Sequence, residues 1–230
     1  FCGDYEIDNV IYAPLLHKKI MALATINSVA TPKTLRSNLR ELPTFCSTIK
    51  EDSKLLHSYF DSNYTQIIAC GALARELLVL IDQLPEGAVV LTCLPASWHN
   101  HPEKIVPGVK RKIAAARRAG MEIAVAYGDC GTGGALDHLL EVENIPRIAG
   151  PHCYEMFLGK PEFDAEMETA LGTFFLTDYM VRHFERIVMK GMGLRQHPQL
   201  RDMYFAHYTR VLYIAQTDSE SLQEKARQAA

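Results

Sequence analysis

Four short runs of nearly continuous aliphatic residues, each set apart from the next by a helix-length stretch, constrain this chain most. They are 66–70 (Gln-Ile-Ile-Ala-Cys), 88–93, 122–127 and 146–149. Runs this apolar suit strands covered on both faces, the pattern of a parallel sheet and not of a half-solvated one. The stretches between them have helical spacing. Leu73, Leu77, Leu80, Ile81 and Leu84 recur at three- and four-residue intervals over 71–84. A second helix is expected over 102–119, stopped by Gly120, and a third near 135–142. The order βαβαβαβ predicts an α/β fold: a parallel, four-stranded, Rossmann-like sheet flanked by helices, with right-handed crossovers.

The rest of the chain reads differently. Residues 1–63 mix short apolar patches with Ser, Thr, Asn and Lys and show no strong period, so they form an N-terminal extension to an α/β domain over 64–216. After residue 155 no further strand is expected. A long helix over 164–190, closed by Gly191-Met192-Gly193, and a second over 198–215 make the C-terminal part helical, and 217–230 is a polar tail, helical or frayed. The apolar helices after 164 exceed what a four-stranded sheet needs on one face, which points weakly to a homodimer. With 230 residues the chain can bury one good core. A net charge of -3 gives no pull toward nucleic acid or an anionic membrane. The basic run Lys110-Arg111-Lys112 with Arg117-Arg118 sits on a helix whose apolar positions are Ile105, Val109, Ile113 and Ala116, so it reads as a solvated outer face. No apolar stretch approaches the roughly 20 residues of a membrane span. The start Phe1-Cys2-Gly3-Asp4 is not a secretory signal, and six cysteines in a chain this long suit reduced thiols in a cytoplasm.

Four of those cysteines fall where a strand runs out: Cys70 and Cys93 end their strands, and Cys130 and Cys153 follow theirs within a few residues. Ligands of open α/β sheets bind in the crevice outside the carboxyl ends of the strands. Neighbouring strand tips lie about 4.8 Å apart, so thiols on them can approach one small ion. Zinc takes thiolate and imidazole, usually four ligands. Cys70, Cys130 and Cys153 supply three, with His152, Cys93, His99 or an exogenous molecule as fourth; a thiolate-rich set also suits iron. The signal is one of position, because CxxC and HExxH are absent, and free cysteine is by itself a common core residue.

The richest local cluster is Tyr127-Gly128-Asp129-Cys130-Gly131-Thr132-Gly133-Gly134. Its glycines let the backbone pass close to a bound group and the loop opens a helix, so Gly128, Asp129, Gly131 and Gly133 are candidates for holding a cofactor or substrate. A tight strand-to-helix turn needs glycine too. Pro151-His152-Cys153-Tyr154-Glu155 puts imidazole, thiol and carboxylate together; His152 and Cys153 are adjacent, so one of them is expected to face the crevice, with Glu155 as its partner or as a base. Trp98-His99-Asn100-His101 follows the second strand and brings His99 to the same edge. Asp178 and Arg182 share a helix face as an ion pair, and Tyr204, His207 and Tyr208 share one that could cap the crevice.

Cys70-Gly71-Ala72-Leu73, His99-Asn100 with Pro102, Tyr127 to Gly131, Pro151 to Glu155, and the run from Leu176-Thr177-Asp178 through Gly193-Leu194 to Tyr208-Thr209 resemble family 1638 of the domains of unknown function, over about 66–216. The resemblance implies one site built from Cys70, Cys130, His152 and Cys153, and leaves Cys93 as core. It also implies a setting, since members occur in bacteria and archaea, often near genes for corrinoid-dependent methyltransferases. A thiolate-ligated metal protein of methyl-group (one-carbon) metabolism is then expected, with zinc or iron bound. It would meet a small-molecule substrate, a corrinoid protein or a methyltransferase, and could activate a thiol or methyl acceptor by methyltransferase-type chemistry. Whether the chain is an enzyme stays open. The alternatives are a metal-free enzyme, with Cys130 or Cys153 as nucleophile and His152 or His99 as base, and a non-enzymatic corrinoid- or metal-handling module.

Overall fold

The computed structural model describes residues 7–12, as a strand backbone, and 64–230 apart from residue 149. Cys2, Cys46 and the rest of the segment read as an extension lie outside the described residues. Six strands run through the described chain: β1 (Ile7–Tyr12), β2 (Thr65–Cys70), β3 (Val89–Leu94), β4 (Glu122–Ala126), β5 (Thr173–Thr177) and β6 (Arg210–Ala215). All pairings between them are parallel, in two three-stranded sheets ordered β3-β2-β4 and β1-β6-β5.

Two expectations are corrected here. The first sheet has three strands and not four. The stretch 146–149 adds only one parallel bridge, Arg147 to Val125. Val125 N–H donates to Pro146 O (3.0 Å) and Ile148 N–H donates to Val125 O (3.2 Å). Pro146 has no N–H to extend the ladder. Beyond it, the Arg147 guanidinium turns back onto the carbonyls of Tyr127, Ile148 and Gly150 and onto the Asp137 carboxylate, ending the pairing.

The C-terminal part is also not purely helical. The run expected as one helix over 164–190 holds the end of a helix, a strand, another helix and a π-helical turn. The helix expected over 198–215 holds a short helix and β6. Thr173-Phe174-Phe175-Leu176-Thr177 and Arg210-Val211-Leu212-Tyr213-Ile214-Ala215 are short, aromatic and β-branched, and buried along most of their length. Periodicity cannot separate such runs from buried helix.

Around the sheets lie α1 (Ala74–Ile81), α2 (Ile105–Arg118), α3 (Ala135–Val142), α4 (Cys153–Leu158), α5 (Lys160–Thr169), α6 (Asp178–Arg182), the π-helix Glu185–Lys190, α7 (Leu200–Phe205) and α8 (Glu220–Ala229). In α2, Ile105, Val109, Ile113 and Ala116 are buried while Lys110, Arg111, Arg117 and Arg118 are exposed, the solvated basic face expected from spacing. Each such aliphatic side chain is worth about 1.5–3 kcal/mol when fully buried, which fixes which face of the helix meets the sheet.

One core joins the two sheets. Ile67 and Ile68 of β2 belong to the same apolar cluster as Phe175 of β5 and Leu212 and Ile214 of β6, with Met156, Phe157 and Leu158 of α4 in the same cluster. A second cluster packs Leu222 and Ala226 of α8 with Val181, Val211 and Tyr213, so the segment read as a polar tail has a buried face. β2 is central and buried throughout, whereas β3 is an edge strand on which Val90 and Cys93 are exposed. Cys93 was expected in the core; an edge position leaves it facing solvent instead. No helix among the described residues is long and apolar enough to cross a membrane.

Candidate functional site

The chain leaves β2 toward β3 on one side and returns across it to β4 on the other, so strand order reverses at β2. The crevice at such a switch point is the expected ligand position. Cys70 ends β2, and Cys130 lies four residues beyond the end of β4. These two, with Cys153 at the start of α4, are free thiols.

Cys70 is fixed from below. It caps the 3-10 turn Gly71–Leu73, its sulfur accepting the Ala72 N–H at 3.4 Å. Burial pushes its thiol up to about 11, with Ala72 N–H and Tyr127 pulling the other way.

His99 arrives on the 3-10 segment Ala96–Asn100. That segment is anchored by Trp98, whose ring packs against Gly108 of α2. A Cβ at Gly108 would sit 2.2 Å from the ring, so only glycine leaves room. The anchored backbone then aims the imidazole. Nδ1 lies 2.8 Å from Ala96 O and 3.9 Å from Cys70 Sγ, and the ring stacks on Tyr127 with centroids 6.2 Å apart. A ring nitrogen tied to a backbone carbonyl fixes both tautomer and orientation. Burial works against charge on His99, but a hydrogen bond to Cys130, the charge of that thiol and the Ala96 carbonyl outweigh it, and its pKa is raised.

Cys130 sits in the left-handed region (φ 49°), which costs a non-glycine residue free energy that the surroundings must supply. Its N–H donates to Pro151 O at 2.9 Å, tying it to the loop before α4. Gly128 permits this approach: a Cβ there would meet His152 Cα at 3.0 Å and Cys130 Sγ at 3.2 Å. Asp129 locks the loop, accepting from the Thr132 hydroxyl and from the amides of Gly133 (3.1 Å) and Gly134 (2.9 Å). Burial opposes its charge, but these bonds prevail and lower its pKa. The amides expected to cradle a cofactor are thus occupied by the protein's own carboxylate, while Gly131 and Gly133 are exposed.

His152 and Cys153 both border the cleft, so the choice between them is not exclusive. Burial lowers the His152 pKa, with Asp129 and Glu155 opposing and His99 adding to it. Burial, then the charges of Cys130 and Cys70, raise that of Cys153 well above the usual thiol range. Glu155 is buried and packs its carboxyl against Gly150, away from the cleft wall.

The cleft itself holds about 200 Å3. Its floor is His99, Cys130, His152 and Cys153; its roof comes from parts of the chain that the sequence reading assigned to a plain helix, namely Thr177, Tyr179, Met180, Ile187, Val188 and Met192. Tyr154, stacked on Phe175 with centroids 5.0 Å apart, donates its hydroxyl to Met180 Sδ at 3.4 Å and joins floor to roof. Tyr208, expected at the mouth, packs instead with Phe174 and Phe205, and Tyr204 faces solvent.

One residue at the centre carried no sequence signal beyond its place in the motif. Tyr127 is fully buried, and its hydroxyl lies against Cys70 yet makes no hydrogen bond of good geometry among the described residues. Burial, followed by the charges of Cys70 and Cys130, raises its pKa, so the hydroxyl keeps its proton and can donate it.

The donor chemistry suits zinc or iron, but the arrangement does not: among the described residues no three His, Cys, Asp or Glu side chains come together as metal ligands. Of the expected set, Cys130, His152 and Cys153 border the cleft while Cys70 lies at the end of β2 outside its lining, and the four do not form a ligand group among the described residues.

Fold and site together define a parallel α/β protein with a thiol–imidazole cleft at the carboxyl edge of its sheet. Over residues 93–230, more than half its length, the chain matches the family described as "Protein of unknown function (DUF1638)", and it belongs to that family. The matched residues include His99, Tyr127, Cys130, His152 and Cys153; Cys70 precedes them. No curated protein and no solved structure matches the chain.

Proposed function

We propose that the protein is a thiol-dependent group-transfer enzyme in which Cys130 is the nucleophile and His99 its proton partner. The observation that carries this reading is that His99 and Cys130 border the same cleft, with the imidazole oriented by Ala96 O at 2.8 Å. A thiol beside an oriented base is the arrangement that activates cysteine. Cys130 transfers its proton to His99, and the sulfur attacks an electrophilic carbon. A covalent S–C bond forms as the leaving group departs with the proton from His99. A second nucleophile then takes the group and restores the thiol. The cleft favours a small substrate, since 200 Å3 is below the roughly 300–1,000 Å3 of drug-sized sites. A methyl or short acyl group meets that limit. Methyl transfer with a corrinoid protein or methyltransferase as partner is supported by the family resemblance alone.

The test is alkylation by iodoacetamide, followed residue by residue through peptide mass mapping, on the full chain purified without an affinity metal and checked by elemental analysis. Cys130 is expected to react ahead of Cys70 and Cys153, and His99→Gln to slow it about 10²-fold, the low end of what a positioned base contributes. An inert Cys130 in protein that holds about one zinc or iron per chain, with thiols released by a chelator, would overturn this reading in favour of the metal-bound one.

A further inference from the structure

We infer that Tyr127 is the positioning residue of the thiol centre, its buried hydroxyl serving as the hydrogen-bond donor that receives thiolate charge when the centre reacts. This rests on the reading of Cys130 as a nucleophile. The hydroxyl sits against Cys70 with Cys130 and Cys153 close by, and the His99 ring covers the tyrosine ring. Among the described residues its hydroxyl has no hydrogen-bond partner of good geometry, and the neighbour it lies against is the weakly accepting Cys70 thiol.

A buried hydroxyl without a partner costs stability, and phenylalanine would fill the same space without that cost. The sulfurs around it explain the choice. A neutral thiol is a weak acceptor, whereas a thiolate is charged and accepts strongly. The hydroxyl is therefore poorly satisfied before the reaction and well satisfied once negative charge forms. Interactions that strengthen only as charge develops are the ones that accelerate a step. A further donor converges from the protein, the Ala72 N–H at 3.4 Å from Cys70 Sγ, and the His99 ring, held by Ala96 O, borders the cleft together with Cys130. Tyr127 adds a buried donor beside Cys70, and it is not among the residues that line the cleft.

Tyr127→Phe tests this on the full chain. The variant is expected to melt at the same temperature as wild type or higher, because an unsatisfied hydroxyl has been removed. Its alkylation at Cys130 is expected to slow about tenfold at neutral pH, with the pH–rate profile displaced upward by about one unit. Exposed Cys93 serves as the internal control and keeps its rate. A lower melting temperature would overturn the inference, since the hydroxyl would then be bonded in the resting fold. An unchanged Cys130 profile would overturn it too. If wild-type Cys130 itself shows no enhanced reactivity, the nucleophile reading is what fails, and the two failures are told apart.

Discussion

Two buried polar centres lie at the carboxyl ends of the two sheets, and they are built in opposite ways. At the end of β5, Asp178 is wholly buried and saturated. Its carboxylate accepts from the Tyr213 hydroxyl (2.6 Å), the Gln216 amide (3.1 Å), the Thr217 hydroxyl (2.5 Å) and Arg182 (3.3 Å), while its own N–H donates to the Gln216 side chain (2.8 Å). At the ends of β2 and β4, the thiol centre has a hydroxyl, that of Tyr127, with no partner of good geometry among the described residues, a strained backbone at Cys130 and thiols whose ionisation is opposed by burial. A buried polar network that is fully satisfied specifies a fold. One left unsatisfied and strained is where function is to be sought. Asp178 and Arg182 were legible as an ion pair from their spacing, and they hold the C-terminal half together. Cys130 and Tyr127 hold nothing together that phenylalanine and glycine could not.

The largest effect that would test this contrast is Asp178→Ala. Removing the hub leaves Arg182, the Tyr213 and Thr217 hydroxyls and the Gln216 amide without that acceptor, and unfolding by denaturant should show a loss of about 3–5 kcal/mol. A loss under about 1 kcal/mol would erase the distinction between the two centres.

Gly108→Ala should follow. The new methyl runs into Trp98, at an overpacking cost of about 1–3 kcal/mol, and it displaces the segment that carries His99. Cys130 alkylation should fall along with stability. Lower stability with unchanged Cys130 reactivity would separate Trp98 from the site.

A pH series reaches a smaller effect. The raised His99 pKa means that the fold binds the imidazolium more tightly than the unfolded chain does. Its contribution is fully present below the ordinary value of 6.5 and is lost as pH rises through the raised one. The stability difference between wild type and His99→Gln should therefore shrink with rising pH across that window. A difference that grows would reverse the assigned role of Cys130 as its partner.

The smallest effect belongs to Cys93→Ser. On an exposed edge strand it should change stability by no more than about 0.5 kcal/mol and leave Cys130 reactivity untouched.

The first sheet was readable because β2 and β4 are buried and flanked by helices of clear period; β3 is half solvated and was still found, because its run of Val and Leu is bounded by Gly87 and Pro95. The fourth strand failed because Pro146 and Arg147, unremarkable in a sequence, end its pairing through a missing N–H and a guanidinium that reaches three carbonyls. β5 and β6 are not separable from helix in the sequence because Phe174, Phe175, Tyr213 and Ile214 are apolar on consecutive positions, where the two periods look alike. At the site, Cys70, His99, Cys130, His152 and Cys153 were all legible by their place after strands. The roof from Thr177 to Met192 was not, since it belongs to the misread segment.

By itself the sequence determined the residue types at the carboxyl edge of a parallel sheet, because strand ends and glycine loops are local features. The tertiary structure alone decided which of those residues meet. It put His99 and Cys130 on one cleft, set Asp129 on the amides of its own loop, packed the Glu155 carboxyl against Gly150 and left Tyr127 without a well-placed partner among the described residues. These are relations between strands far apart in the chain, fixed by the packing of Trp98 on Gly108 and of the two sheets on one core, which no local pattern records.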